Sequence, residues 1–225
     1  MSNEPVIVFG ATSGGGLELA KKIRSDDRPV CAVVRPTTET DLLVTLGVEL
    51  RIADAFDATV VDQALKDFGQ DATVVSFLGG GFAEGRPIDG IGNINAIDAA
   101  TRAGVGRFIL MTSIGCGDSY DAAPELSKQM WTELWKEKNR GEKHLKDSPL
   151  GWTIIRPGGL RAPEPTGNGI LVEDSLTFGL IHRKDLGAVT YAAVNSTTVI
   201  GKTYTAVDQN QAEHARGGQI IPAAI

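Results

Sequence analysis

Two cysteines and three histidines are all the thiol and imidazole that 225 residues contain. Cys31 lies inside an apolar run and Cys116 in a glycine-flanked stretch, which makes neither a disulfide framework nor a metal site, so both are expected to stay reduced. His144, His182 and His214 are scattered without ligand spacing, and no metal is expected. Long hydrophobic runs are missing as well. No stretch reaches the roughly eighteen apolar residues of a membrane span, and the opening Met1-Ser2-Asn3-Glu4-Pro5 lacks the basic and apolar regions of a signal peptide. No membrane partner is expected, and the expected location is cytoplasmic. Positive charge is in deficit: the formal charge is −6, with no basic cluster dense enough to neutralise a phosphate backbone, which argues against nucleic acid as a partner. Internal repeats and low-complexity segments are absent too. What remains, with 42% hydrophobic and 22% charged residues, is the composition of an ordinary globular domain able to bury one core.

The most informative stretch is Val6-Ile7-Val8-Phe9-Gly10-Ala11-Thr12-Ser13-Gly14-Gly15-Gly16-Leu17-Glu18-Leu19-Ala20. A buried strand turns through glycines into a helix. Small residues let the backbone approach a pyrophosphate, and the amides and dipole at the helix N-terminus favour its negative charge. Thr12 and Ser13 add hydroxyls. A second strand-like run, Pro29-Val30-Cys31-Ala32-Val33-Val34, ends about twenty residues later in Arg35. A carboxylate there would accept from the ribose hydroxyl of NAD, whereas a guanidinium suits a 2′-phosphate, so NADP(H) is the expected cofactor.

Further short apolar runs at 48–52, 72–78, 106–112 and 152–156 read as buried strands. Helical periodicity marks 16–24, 59–68, 88–103 and 125–146. Near-continuous apolar strands alternating with helices predict an α/β fold: a Rossmann-type, doubly wound parallel sheet with helices on both faces, formed as a single domain over 1–225. Ligands in such sheets sit beyond the carboxyl ends of the strands. Those ends carry Ala53-Asp54-Ala55, Leu78-Gly79-Gly80-Gly81, Thr112-Ser113-Ile114-Gly115 and Arg156-Pro157-Gly158-Gly159.

Taken with the glycine turn and Arg35, these ends form a set. So do Ala99-Ala100-Thr101-Arg102-Ala103-Gly104-Val105-Gly106-Arg107-Phe108-Ile109-Leu110-Met111-Thr112-Ser113 and Trp152-Thr153-Ile154-Ile155-Arg156-Pro157-Gly158. The set resembles the atypical short-chain dehydrogenases/reductases with NmrA-like NAD(P)-binding domains, over about 6–207. Ile181-His182-Arg183-Lys184-Asp185-Leu186-Gly187 is similar to the flavin reductase/biliverdin reductase B branch. The resemblance implies that Gly10, Thr12, Ser13 and Gly16, with Gly14 and Gly15 in the same turn, hold the pyrophosphate, and that Arg35 holds the 2′-phosphate. It places Asp54 and Ala55 at the adenine edge, Leu78 and Gly79 at the ribose, Thr112 and Ser113 at the next strand end, and Pro157 and Gly158 on the nicotinamide side. For Asp54 the residues alone equally allow a turn former, and for Pro157-Gly158 a plain strand stop.

The better known members of the group carry Tyr and Lys four residues apart on one helix face, the phenol acting as acid. By the same alignment Lys138 takes the lysine position and Leu134 stands where the phenol would be. Ser113 and Lys138 are the catalytic candidates: Ser113 either orients an acceptor or caps a turn, and Lys138 either meets the cofactor or lies on a solvated helix face among other charges. A flat conjugated acceptor such as a flavin, quinone or linear tetrapyrrole takes hydride without a tyrosine. The other reading is a non-catalytic NADP(H) sensor that binds a partner protein, with Trp131 and Trp135, one turn apart, as its candidate surface or as core packing. The expected partner is otherwise a small-molecule substrate, the assembly a monomer or homodimer. Selectivity is expected in three loops, 80–89, 115–124 and 158–178, the last long enough to be a lid. In them Phe82, Tyr120, Leu160 and Phe178 would supply a flat apolar wall, and Arg86 and Arg161 a site for an acidic group. The tail after Asp208 is expected to dock on its own body or on a second subunit.

Overall fold

A computed structural model describes residues 4–80, 87–160 and 164–225. Phe82, Arg86 and Arg161 lie outside the described residues. Along the chain run β1 (Val6–Phe9), α1 (Gly14–Ser25), β2 (Val30–Val34), α2 (Asp41–Thr45), β3 (Glu49–Ile52), α3 (Ala58–Leu65), β4 (Thr73–Ser76), α4 (Ile88–Arg102), β5 (Arg107–Met111) and a 3₁₀ turn at Gly117–Ala122. There follow α5 (Glu125–Lys146), β6 (Gly151–Pro157), β7 (Gly169–Val172), β8 (Thr177–Phe178), α6 (Arg183–Asn195), β9 (Lys202–Asp208) and β10 (Glu213–His214).

Eight strands form one sheet in the order β3-β2-β1-β4-β5-β6-β9-β7. All pairs are parallel except β7, which closes the far edge antiparallel to β9. The order reverses between β2-β1 and β4, the switch point at which such sheets bind ligands. Alternation along β1 shows why the strands read as continuous apolar runs. Val6 and Val8 face a core shared with Leu19 and Ile23 of α1 and Leu186 and Val189 of α6. Ile7 and Phe9 face the opposite core, with Val61 and Leu65 of α3, Ile97 of α4 and Leu145 of α5. β1 and β2 are buried on both faces, so both faces are apolar.

Several expectations need correction. The 48–52 strand is not buried: β3 is the sheet edge, its residues are partly or fully exposed, and Ile52 is 53% accessible. The 158–178 segment is not one lid. Its second half carries β7 and β8 and is pinned beforehand, because the buried Asp185 carboxylate accepts from the amides of Thr166 at 2.9 Å and Gly167 at 3.1 Å. The tail docks on its own body. β10 pairs antiparallel with β8, and the Ala223 amide donates to Leu171 of β7 at 2.8 Å.

Candidate dinucleotide and acceptor site

β1 delivers the chain to Gly10, whose φ of +75° only glycine adopts readily. Gly14 repeats the demand at +58°. Gly16 is required by space: a Cβ there would stand 2.3 Å from the Gly10 carbonyl oxygen. The backbone therefore folds tightly under the first turn of α1. Leu17 is the first amide to find a helical acceptor, Ser13 O at 3.2 Å, so the amides of Gly14, Gly15 and Gly16 have none among the described residues. Ser13 occupies the N-cap position in an extended conformation but makes no side-chain cap, and its hydroxyl stays exposed beside those amides. Unpaired donors at a positive helix end are what a pyrophosphate requires, so the turn fits the dinucleotide phosphates.

Arg35 follows β2 directly and is exposed; its carbonyl accepts from the Thr38 amide at 3.1 Å, and its guanidinium makes no hydrogen bond or ion pair among the described residues. Asp54 behaves first as a turn former: its Oδ1 accepts from the Phe56 amide at 2.9 Å, leaving the second oxygen for a ligand. Ala55 is buried, with its carbonyl held by Asn95 Nδ2 at 2.8 Å. Beyond β4, Asn93 accepts from Ser76 Oγ at 2.6 Å and donates to the Asp89 carbonyl at 2.9 Å and the Leu78 carbonyl at 3.3 Å. That bridge sets the position of Leu78 and of Gly79 after it. Pro157 ends β6, and Gly158 is buried so closely that a Cβ would meet Gly179 O at 2.3 Å. At Gly158 the tight packing alone demands glycine.

One face of α5 organises the other strand ends. Trp135, Lys138, Asn139 and Glu142 are spaced three and four apart, so they stack along a single stripe. Trp135 Nε1 donates to Ser113 Oγ at 3.0 Å, and that hydroxyl donates to Ile114 O at 2.7 Å. Ser113 is thus held in a turn. Asn139 Oδ1 accepts from the Gly117 amide at 2.8 Å. Glu142 accepts from Thr112 Oγ1 at 2.7 Å and from the Arg156 fork at 3.0 and 2.7 Å. Arg156 also pairs with Asp118. Burial opposes charge on Asp118, yet the Arg156 guanidinium prevails and holds its carboxyl below the usual range.

Lys138 does not lie on a solvated face. Its Nζ is 2.5 Å from Asp89 Oδ1, and the side chains are 12% and 0% exposed. The contact is out of line for a hydrogen bond, and neither carboxylate oxygen has a hydrogen-bond donor among the described residues. A Cβ on Gly79 would stand 2.9 Å from Asp89 Oδ1 and 3.4 Å from Lys138 Nζ. The glycine keeps the end of β4 open beside this buried pair. Leu134 is buried and has no proton to give. Trp131 is exposed whereas Trp135 is buried, so the two tryptophans do not form one stripe. Of the aromatic wall, Phe178 packs into the small core with Ile114 and Cys116, and Leu160 packs onto the α1–α6 core. Tyr120 stays half exposed, edge-on to Trp135 at 6.0 Å.

Reasoning from sequence did not single out Asp89, Asn93, Glu142 or Arg183 as site residues. A carboxylate or carboxamide inside an apolar helical face was the available signal for the first three. Arg183 borders the glycine turn: a Cβ on Gly14 would lie 3.3 Å from its Cδ.

Known proteins share this fold. An NAD(P)H-binding family profile matches residues 10–197. The anaerobilin reductase ChuY of Escherichia coli O157:H7 is 32% identical, with a TM-score of 0.82 over 92% of this chain and 98% of its own. An uncharacterized sugar epimerase of Bacillus subtilis is 27% identical over 207 residues, covering 88% of this chain and 92% of its own length. An uncharacterized chloroplastic protein of Arabidopsis thaliana is 29% identical over 204 residues, 86% of this chain and 73% of that protein. No helix among the described residues is long and apolar enough to cross a membrane. The glycine turn at the sheet's switch point, the fold around it and these similarities place the chain in the NAD(P)H-binding family of atypical, NmrA-like short-chain dehydrogenases/reductases, an oxidoreductase-type Rossmann group.

Proposed function

We propose that the protein is an NADPH-dependent reductase acting on a flat conjugated acceptor, with a linear tetrapyrrole as the first class to try. Buried Leu134 beside a fixed Lys138 carries this reading. Where a phenol would supply a proton there is a hydrocarbon, and the nearby lysine is ion-paired with the buried Asp89 carboxylate. An isolated ketone reduced by hydride needs an acid as its oxygen gains charge. A conjugated acceptor spreads that charge and takes its proton from water, so orientation supplies most of the catalysis. Similarity to an anaerobilin reductase at 32% identity over nearly the whole chain supports the acceptor class.

Bound at the glycine turn, the cofactor supplies hydride from its nicotinamide. The protein's contribution is placement. The amides of Gly14, Gly15 and Gly16, with Gly10, Thr12 and Ser13, hold the pyrophosphate, while Arg35 selects the 2′-phosphate. Asp54 and Ala55 border the adenine. Lys138, kept in place by Asp89, offers its ammonium over Gly79 to a ribose hydroxyl. Thr112 and Ser113, braced by Glu142 and Trp135, floor the acceptor side, and Pro157 with Gly158 backs the nicotinamide. The test is loss of nicotinamide absorbance with biliverdin and with FMN as acceptors, NADH serving as the comparison donor. Turnover that favours NADPH and at least one of these acceptors is expected. Tight NADPH binding with no consumption by either acceptor would favour the sensor reading, which draws on the exposed Leu126, Met130 and Trp131 of α5.

A further inference from the structure

α1 and α6 lie side by side and run in the same direction. Gly14 borders Arg183, Gly15 borders Leu186, and a Cβ on Gly187 would meet Glu18 Cβ at 2.6 Å. Farther along, the Tyr191 hydroxyl reaches Asp26, and Arg28 Nη1 donates to Asn195 Oδ1 at 2.6 Å. Two helices of 12 and 13 residues therefore bring their positive ends together at the glycine turn. Like-directed dipoles in contact favour an anion between their N-termini. Arg183, the first residue of α6, adds a guanidinium there. Its stem passes the Gly14 Cα, with Cδ 3.3 Å and Nε 3.6 Å from where a Cβ would be. Its one hydrogen bond among the described residues is Nη1 to the Leu160 carbonyl at 3.0 Å, and it pairs with no carboxylate. Arg51, Arg102, Arg140, Arg156 and Arg216 do, whereas Arg24 and Arg28 each donate to two oxygens of carbonyl or carboxamide groups.

We infer that Arg183 is a ligand of the cofactor pyrophosphate, closing the cradle from the α6 side opposite the α1 amides. Through Leu160 it also ties the segment after β6 to the loaded cofactor. The inference rests on the dinucleotide site and is independent of the acceptor. A planar fork with five donors can keep one on Leu160 and direct a bidentate pair to phosphate oxygens, a fixed geometry that the three donors of a lysine ammonium reproduce only in part. The pyrophosphate is common to both nucleotides, so Arg183 acts on NADPH and NADH alike, whereas Arg35 acts on NADPH alone.

Binding of NADPH and NADH is measured by nicotinamide fluorescence for the wild type, Arg183→Gln, Arg183→Lys and Arg35→Gln. Melting curves without nucleotide confirm that each variant is folded. Arg183→Gln is expected to weaken both nucleotides by a similar factor, on the order of tenfold, the scale of one charge-assisted hydrogen bond. Arg183→Lys recovers part of that loss, and Arg35→Gln weakens NADPH only. Wild-type affinity for both nucleotides in both Arg183 variants overturns the assignment, as does a loss confined to NADPH. A wild type that binds neither nucleotide overturns the dinucleotide site itself. The tie to Leu160 is read by hydrogen exchange at the amides of Gly159 and Ile181, which donate to Gly179 O at 2.9 Å and Gly159 O at 3.1 Å. NADPH should slow both in the wild type and not in Arg183→Gln; equal slowing in the two rejects the tie.

Discussion

Gly16 and Cys116 show opposite ways in which one position constrains the molecule. Gly16 has no room for a methyl group, because the atom 2.3 Å away is a backbone carbonyl oxygen rather than a side chain that can turn aside. Gly16→Ala must therefore shift the turn, at about 1–3 kcal/mol for a group forced into filled space. The shift also moves the amides of Gly14, Gly15 and Gly16, which we propose hold the phosphates. A lower urea midpoint together with weaker binding of both nucleotides is expected, and unchanged binding would separate the turn from the cofactor. Cys116 is instead fully enclosed, and burial pushes its thiol up to about 12. Burial pushes Cys31 likewise to about 12. The thiolate is the reactive form, so at pH 8 a disulfide reagent should label neither cysteine in the folded protein and both in concentrated urea. Labelling of either thiol in the native state would contradict this. The sequence made the glycine requirement visible through strand-to-helix spacing. It could not reveal which glycines are demanded by φ and which by space, because the second kind depends on what another segment places nearby. Gly158, crowded by Gly179, is such a case.

At the scale of elements, α5 was the most legible and α6 the least. The 125–146 helix coincides with its expected span because a polar outer face alternates with Leu134, Trp135, Gly141, Glu142 and Leu145 at helical spacing. α6 buries Asp185, Gly187 and Thr190 along with its apolar residues. One side meets α1 and another the sheet, which blurs the periodicity that marks a one-sided helix. The short strands β7, β8 and β10 were missed for a related reason: two to four residues carry little of the continuous apolar signal that β1 and β2 show, and β9, although inside the sheet, alternates Thr203 and Thr205 with Tyr204 and Ala206 and so lacks that signal too. α5 also holds the Glu142–Arg156 pair, with side chains 5% and 2% exposed. Removing Glu142 leaves the buried Arg156 with only the exposed Asp118 carboxylate, so Glu142→Ala should cost about 3 kcal/mol, the lower end for a broken buried pair. Glu142→Leu combined with Arg156→Met removes both charges and should recover most of that loss. Denaturant melts of the single and double variants decide it. If the double variant is as unstable as the single, the pair stabilises through packing or its hydrogen bonds to Thr112 and Asp118 rather than through charge balance.

For the molecule as a whole, the site exists only when distant parts of the chain meet. Gly14 on α1, Asp89 on α4, Lys138 on α5 and Arg183 on α6 come from elements separated by much of the sequence, and the parallel sheet brings their ends to one rim. An unfolded chain retains the glycines and arginines but not this convergence, so NADPH should bind the folded state far better than the unfolded one. Mass action then stabilises the fold by about 2.7 kcal/mol at a ligand concentration one hundred times the dissociation constant. For a domain of this size that raises the melting temperature by about 5–10 °C. Scans at increasing NADPH should show a midpoint that climbs with the logarithm of concentration. NADH should shift it less at equal concentration, because Arg35 has no 2′-phosphate to meet, and Gly16→Ala should flatten both responses. A midpoint that ignores NADPH, or that responds to adenosine as strongly as to the dinucleotide, would show that the phosphates are not held at the joined ends of α1 and α6.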